Sequence, residues 1–185
     1  MYVKHIDFCF HLVVSRATKH IKASVVSENS ISDLNNRFCR GKADYIIIAC
    51  ATGNITARDI ASEAINIATS TGNVKLERIT CSTLSVSTDT GNCHLENAQV
   101  AQTLSLSSAT GSKYLTGVSC DSLEMKATTG DNNLTNVTIS GNVQLESNTG
   151  DWELYNVMVS GDAKLESSTG DWEFDGFDAA NITID

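Results

Sequence analysis

Seven Thr-Gly dipeptides recur along this chain of 185 residues at intervals of 19 or 20 residues. Their glycines are Gly53, Gly72, Gly91, Gly111, Gly130, Gly150 and Gly170. Self-similarity at a fixed period of this length marks a repeat architecture, in which each copy stacks on the next. Glycine accepts a positive φ, and the following residue is Asn, Asp or once Ser, so each dipeptide predicts a tight turn.

Aligning the copies on the glycine shows apolar side chains in fixed positions. They recur four, seven and nine residues after the glycine and, with period two, seven and five residues before the next one. In the copy that follows Gly72 they are Leu76, Ile79, Cys81, Leu84 and Val86. Period-two alternation is typical of a strand with one buried face. Six residues after the glycine, Asn, Asp or Gly predominates, which predicts a second bend with left-handed geometry.

These patterns predict an all-β, single-domain parallel β-solenoid (β-helix) of about seven coils of 19–20 residues. Like residues would stack about 4.8 Å apart, so each coil would satisfy the backbone of the next. The crossover preference favours a right-handed coil. Cys81 and Cys120 would lie two coils apart in one interior column, beyond the reach of a disulfide, so we expect buried thiols.

Residues 42–185 hold the repeats, and residues 1–41 do not fit them. Alternating apolar residues predict one strand near Ile6–Val14 and another at Ile21–Val25. We interpret residues 1–41 as a cap over the first coil, with a weakly ordered leader as the alternative. Asp7 and His11 interrupt the early apolar run, so we expect no clear signal peptide and no membrane span in this chain.

The formal net charge of −9 is unevenly distributed. Residues 1–45 carry seven Lys or Arg against four Asp or Glu, whereas residues 131–185 carry Lys164 alone against eleven acids. A strongly acidic end repels phosphate, so we expect no nucleic-acid partner. Basic residues and grouped carboxylates do not converge in the pattern of a catalytic site, and we expect neither enzyme activity nor a cofactor.

The run from Ser167 to Phe174, with weaker copies at Asn148–Leu154 and Ser70–Glu77, resembles a bacterial adhesin-like family of β-strand repeats, a domain of unknown function. The resemblance covers residues 42–185. It implies a β-solenoid on a cell-surface or envelope-associated protein, with adhesion as the implied role and no catalytic residues. The localisation therefore rests on the resemblance alone.

Two late coils carry the candidate binding residues, which are Trp152, Trp172, Asp151, Asp171, Glu153 and Glu173. The two tryptophans share one column, which would either fill the interior or face a sugar ring or a protein. Lys113 and Asn132 in that column suggest partial exposure. For the stacked acids we expect turn capping by solvated carboxylates, with a calcium site at Asp131, Asp151 and Asp171 as the alternative.

We therefore predict a non-catalytic structural or adhesin-like solenoid that presents a surface to an envelope glycan or protein. One alternative is a module that self-associates through its open solenoid ends, because an unpaired parallel edge favours association. The other alternative is a polysaccharide-active β-helix enzyme.

Overall fold

The computed structural model describes residues 10–15, 20–25, 31–34 and 43–185, and every element in these ranges is a β-strand. The first eight strands are β1 (Phe10–Ser15), β2 (His20–Val25), β3 (Ile31–Leu34), β4 (Ala43–Thr52), β5 (Ile55–Thr71), β6 (Val74–Cys81), β7 (Thr83–Thr90) and β8 (Cys93–Glu96). The others are β9 (Gln99–Thr110), β10 (Lys113–Thr129), β11 (Asn132–Ile139), β12 (Val143–Thr149), β13 (Trp152–Val159), β14 (Asp162–Thr169), β15 (Trp172–Asp178) and β16 (Asn181–Ile184).

From β2 onward, the paired strands of the described chain run parallel and place like residues beside like residues. Leu76 lies beside Ala57 on one side and Leu95 on the other, at spacings of one coil. We number the coils 1 to 7 from the glycines at 53 to 170. The predicted parallel β-solenoid of about seven coils is confirmed. Its handedness stays a prediction.

Strands precede the first repeat as well. β1 pairs with β2 in antiparallel orientation, and β2 pairs in parallel with β4, where Ile21 lies beside Ile46. The strands expected around Phe10–Val14 and Ile21–Val25 are therefore present, whereas Ile6 and Phe8 lie outside the described residues. The proposed division of the chain at residue 42 stays a prediction.

The interior is one continuous apolar cluster that extends from Ile46 to Leu165. Cys81 and Cys120 are buried free thiols within it, as expected from their column. Burial raises the pKa of both thiols to about 12, so they remain neutral near pH 7. Cys9 and Cys39 lie outside the described residues.

The second bend has the predicted left-handed geometry in every coil. The non-glycine residues there have φ between 52° and 55°, and Gly117 and Gly176 have φ of 65° and 75°. Arg78 does not belong to the residue types that favour this conformation, yet it adopts it. Its Nε donates a hydrogen bond of 2.6 Å to Oδ1 of Asp59, at the same bend of the preceding coil.

The Thr-Gly corner requires glycine for two reasons. The corner glycines have φ between 132° and 146°, a region that L side chains rarely adopt. In addition, a Cβ at Gly111 would overlap the carbonyl group of Gly91 directly below it. The close approach is part of the stacking, because the corner N–H groups of coils 1 to 6 donate to the next coil, as from Gly91 N to the Thr110 carbonyl oxygen over 2.8 Å.

We predict that Gly111→Ala lowers the free energy of unfolding by about 3 kcal/mol or more, since it adds both strain and a backbone overlap. Denaturant unfolding measures the loss. The matched control is Gly117→Asn, because Asn occupies the equivalent bend in three other coils. A Gly111→Ala protein within about 1 kcal/mol of wild type would contradict the stacking described for this corner.

Candidate functional site

The column two residues after each corner glycine faces the interior, and this resolves the orientation of the tryptophans. Trp152 is 0% exposed, and its Nε1 donates a hydrogen bond of 2.8 Å to Oγ of Ser147. Its ring stacks on that of Trp172 with centroids 5.1 Å apart. Trp172 is half-buried. The prediction of Trp152 as a surface binding residue was wrong, because its side chain is buried and a partner cannot reach it.

The expectation that this column is partly exposed was also wrong. Lys113 and Asn132 are each 1% exposed, even though both are polar. Each continues a stack of inward side chains through parallel pairing, with Cys93 below Lys113 and Trp152 above Asn132. Polarity alone therefore misled the sequence-based interpretation, whereas the period-two alternation with the buried Leu115 and Leu134 indicates the true orientation.

Two of the three acids that follow corner glycines, Asp131 and Asp151, act as turn caps. Asp131 Oδ1 accepts a hydrogen bond of 3.1 Å from the backbone N–H of Asp151, and Asp151 Oδ1 accepts one of 2.8 Å from that of Asp171. Asn54 and Asn73 make the same contact to the following coil in the early repeats. Among the described residues, no group of acids, His or Cys is arranged to hold a metal ion.

Glu153 and Glu173 do reach the surface, on a sheet face formed by the residues three and five positions after each glycine. We call this surface the front face. From coil 1 to coil 7 its pairs are Thr56 and Arg58, Lys75 and Glu77, His94 and Glu96, Tyr114 and Thr116, Asn133 and Thr135, Glu153 and Tyr155, and Glu173 and Asp175.

Ion pairs cover the early part of the front face. Glu77 lies 2.9 Å from Lys75 Nζ and 3.1 Å from Arg58 Nε. The hydrogen bond from Lys75 lowers the pKa of Glu77, and the same contact raises the pKa of Lys75. The side chains of Arg58 and Lys75 are each 42% exposed and that of Glu77 is 12% exposed, so the two cations neutralise a partly buried carboxylate.

The late part of the front face is acidic and aromatic. Tyr155 in coil 6 is 53% exposed, and Tyr114, in the middle of the face in coil 4, is 38% exposed. Glu153 accepts a hydrogen bond of 2.5 Å from Nδ2 of Asn133. No ion pair of the described residues includes Glu153, Glu173 or Asp175. The sequence interpretation missed both tyrosines, although the alternation that places leucines inside also places these positions outside.

Buried polar groups gather along the inner side of the Thr-Gly corner. The column three residues before each glycine lies there opposite the tryptophan column. Among residues 45–185, every buried polar or charged side chain belongs to one of these two columns: Thr69, Thr88, Ser108, Lys113, Asn132 and Ser147. Within the described core, buried polar side chains therefore occur only along the inner side of the Thr-Gly corner.

Lys113 is the charged member of this line. Its Nζ donates a hydrogen bond of 2.8 Å to Oγ of Ser108, which is a neutral acceptor. Oδ1 of Asn132 in the next coil is buried and has no hydrogen-bond partner. Burial lowers the pKa of Lys113 to about 8, and the nearby Cys93 opposes this effect. Burial also raises the pKa of the Cys93 thiol to about 12, so this neighbour carries no charge at neutral pH.

We predict that Lys113 makes stability rise with pH between about 8 and 10.5, because the unfolded chain then holds a proton that the folded chain has lost. Lys113→Met removes this dependence. The variant should be the more stable protein at pH 7, and its advantage should shrink by up to about 3 kcal/mol by pH 10.5. Denaturant unfolding of both proteins across this range measures the difference. The buried cysteines, whose pKa values are raised in the folded protein, make stability fall as pH rises in both proteins, so their contribution drops out of the difference.

Lys126→Met is the control, since Lys126 is an exposed lysine whose pKa is raised by its hydrogen bond to Glu124. Its difference from wild type should stay flat from pH 7 to pH 10. A flat difference for Lys113→Met over the same range would show that the buried amine does not titrate near 8.

Comparison with known protein families finds a family model that matches this chain. Residues 20–184 match the model of the family described as Toastrack DUF4097, a β-solenoid domain of unknown function. Neither the curated proteins nor the solved structures contain a match. The described residues include no helix that could serve as a membrane span. The match spans most of the chain, from β2 to the last strand, and the chain therefore belongs to the Toastrack DUF4097 family.

Proposed function

We propose that this chain is a non-catalytic binding module, a β-solenoid that presents its front face to a partner at the cell envelope. The observation that carries the proposal is the exposure of Tyr114 and Tyr155 on one face of a sheet of paired parallel strands. Tyrosine supplies large contact area with little loss of side-chain entropy and is enriched where proteins bind their partners. The stacked coils hold both rings at fixed backbone positions.

The envelope location and the adhesive role come from the family resemblance carried by the repeats, and both remain part of the proposal. A protein partner is better supported than a glycan. The stacked indoles would be the natural platform for a sugar, but Trp152 is buried and Trp172 is half-buried. A nucleic-acid partner is disfavoured by the net charge of −9.

The contacts of four acids in the later coils support a non-catalytic role over a polysaccharide-active one. Asp131 and Asp151 accept backbone hydrogen bonds at corners, and Glu124 and Glu166 pair with lysines. His94 stacks on Tyr114 with ring centroids 4.5 Å apart. These side chains have structural contacts in place of the paired carboxylates across a cleft that glycoside hydrolysis uses. Release of reducing ends from envelope polysaccharides would identify the enzyme instead.

We predict that labelled protein binds isolated bacterial cell envelopes saturably, and that the double variant Tyr114→Ser/Tyr155→Ser weakens binding tenfold or more, as expected for tyrosine hot spots. Co-sedimentation measures both affinities. Ser85→Ala/Ser105→Ala is the control, since these serines lie on strands β7 and β9 away from the front face. Equal binding by the tyrosine variant would contradict the proposal.

Self-association is the second candidate function, and the last coil favours it. Phe174, Ile182 and Ile184 are 40%, 49% and 53% exposed, although their columns are buried in earlier coils. The Trp172 and Phe174 rings stack with centroids 6.0 Å apart and extend this apolar surface.

We predict a mass that rises with concentration in sedimentation equilibrium if this surface is a contact between copies, because pairing would bury it. Ile182→Lys/Ile184→Lys should then lower the mass to that of one chain. Thr183→Lys, between them on the same strand, is the control. A constant monomer mass for the wild type at high concentration would exclude self-association.

A further inference from the structure

The most exposed apolar pair on the sides of the described solenoid is Tyr155 and Met158, at 53% and 55% exposure. They flank the bend at Asn156, which has φ of 52° and is tied to the preceding coil by a hydrogen bond of 2.6 Å from its Nδ2 to Oδ1 of Asn136. Because the bend is held on its inner side by the buried Val157, the two side chains project outward from a fixed backbone. We call this pair and its neighbours the Tyr155 patch.

Carboxylates surround the apolar pair. The register places Asp175 beside Tyr155 and Asp178 beside Met158 in the next coil, and Glu153 and Glu173 lie two residues earlier on the same strands. These four acids complete the Tyr155 patch. All six side chains are exposed.

The lysines of the late coils do not neutralise the Tyr155 patch. Lys126 and Lys164 lie on strands β10 and β14, outside the β13–β15 pairing, where they contact Glu124, Glu146 and Glu166. The described residues show no ion pair for the four acids of the patch. An exposed apolar pair thus lies within an uncompensated negative field.

We propose that the Tyr155 patch binds a lysine- or arginine-rich segment of a partner protein that also carries an apolar side chain. Charge complementarity selects this occupant. The four carboxylates attract and orient cations, arginine can pair with them through two hydrogen bonds, and the face of Tyr155 accepts a cation. The apolar side chain of the segment packs against Met158. This inference rests on the proposed function and names the partner's chemistry.

The early front face provides a contrast within the same molecule. In coils 1 and 2, Arg58 and Lys75 already occupy the carboxylate of Glu77. In the middle of the face, in coils 3 and 4, His94 stacks against one side of the exposed Tyr114. A cationic segment would have to displace these internal partners. The same fold therefore offers an open acidic aromatic surface in coils 6 and 7 and a neutralised one in coils 1 and 2.

The test uses the full chain and three synthetic peptides of one length that alternate leucine with arginine, with glutamate or with glutamine. Fluorescence anisotropy measures each affinity at low and at physiological salt. We expect only the arginine peptide to bind, and more weakly as salt rises. Tyr155→Ser and Glu173→Gln/Asp175→Asn should each weaken binding tenfold or more. Glu124→Gln/Glu146→Gln removes the same charge from another surface and should change the affinity less than twofold.

The proposal would be overturned if the glutamine peptide bound as tightly as the arginine peptide. It would also be overturned if Glu124→Gln/Glu146→Gln lost as much affinity as Glu173→Gln/Asp175→Asn, because net charge alone would then be responsible. The experiments distinguish a failure of the cationic partner from a failure of the proposed binding function. If envelopes bind in a Tyr155-dependent way while no arginine peptide binds, the cationic partner is wrong and the binding module stands. Tyr155-dependent binding on a glycan array in place of the arginine peptide would likewise overturn the cationic partner in favour of a sugar.

Discussion

Close backbone stacking at the Thr-Gly corner is the constraint on which the rest of this solenoid depends. The corner N–H groups of coils 1 to 6 bond to the next coil, and a side chain at Gly72, Gly91 or Gly111 would overlap the carbonyl group of the coil below. Since only glycine fits, the corner sets the register of every coil, and the register decides which residues face inward. A slip of one residue would exchange the apolar side chains of the interior for the mostly polar side chains of the front face.

Much of the fold could be predicted from the sequence, because the repeat places residues of the same character in each column. The parallel coils, the interior leucines and the left-handed bends follow from glycine spacing, period-two alternation and turn chemistry. The orientation of the tryptophan column did not follow, because Lys113 and Asn132 gave it a polar character. Their burial depends on corner geometry, where Ser108 comes within 2.8 Å of the Lys113 amine, and no single-residue preference shows this contact.

The set of candidate binding residues also changed, because the tryptophan column faces the interior. Asp151 and Asp171 were predicted as binding residues together with the tryptophans, but Asp151 caps a corner and Trp152 fills the core. Glu153 and Glu173 remain at the surface, now beside Tyr155. The recurring residues therefore build the coil, whereas the residues that vary between coils along the front face give coils 6 and 7 their distinct surface chemistry.

The register of the tryptophan column can be measured directly, because the chain contains two tryptophans and Trp172→Phe leaves Trp152 as the only one. Fluorescence of that variant with acrylamide as quencher reports the exposure of a single indole. Because Trp152 is buried, we predict an emission shifted to the blue and quenching that is several-fold weaker than in the unfolded protein. Emission and quenching equal to those of the unfolded chain, in a protein whose circular dichroism shows intact strands, would contradict the inward register and every surface assignment that follows from it.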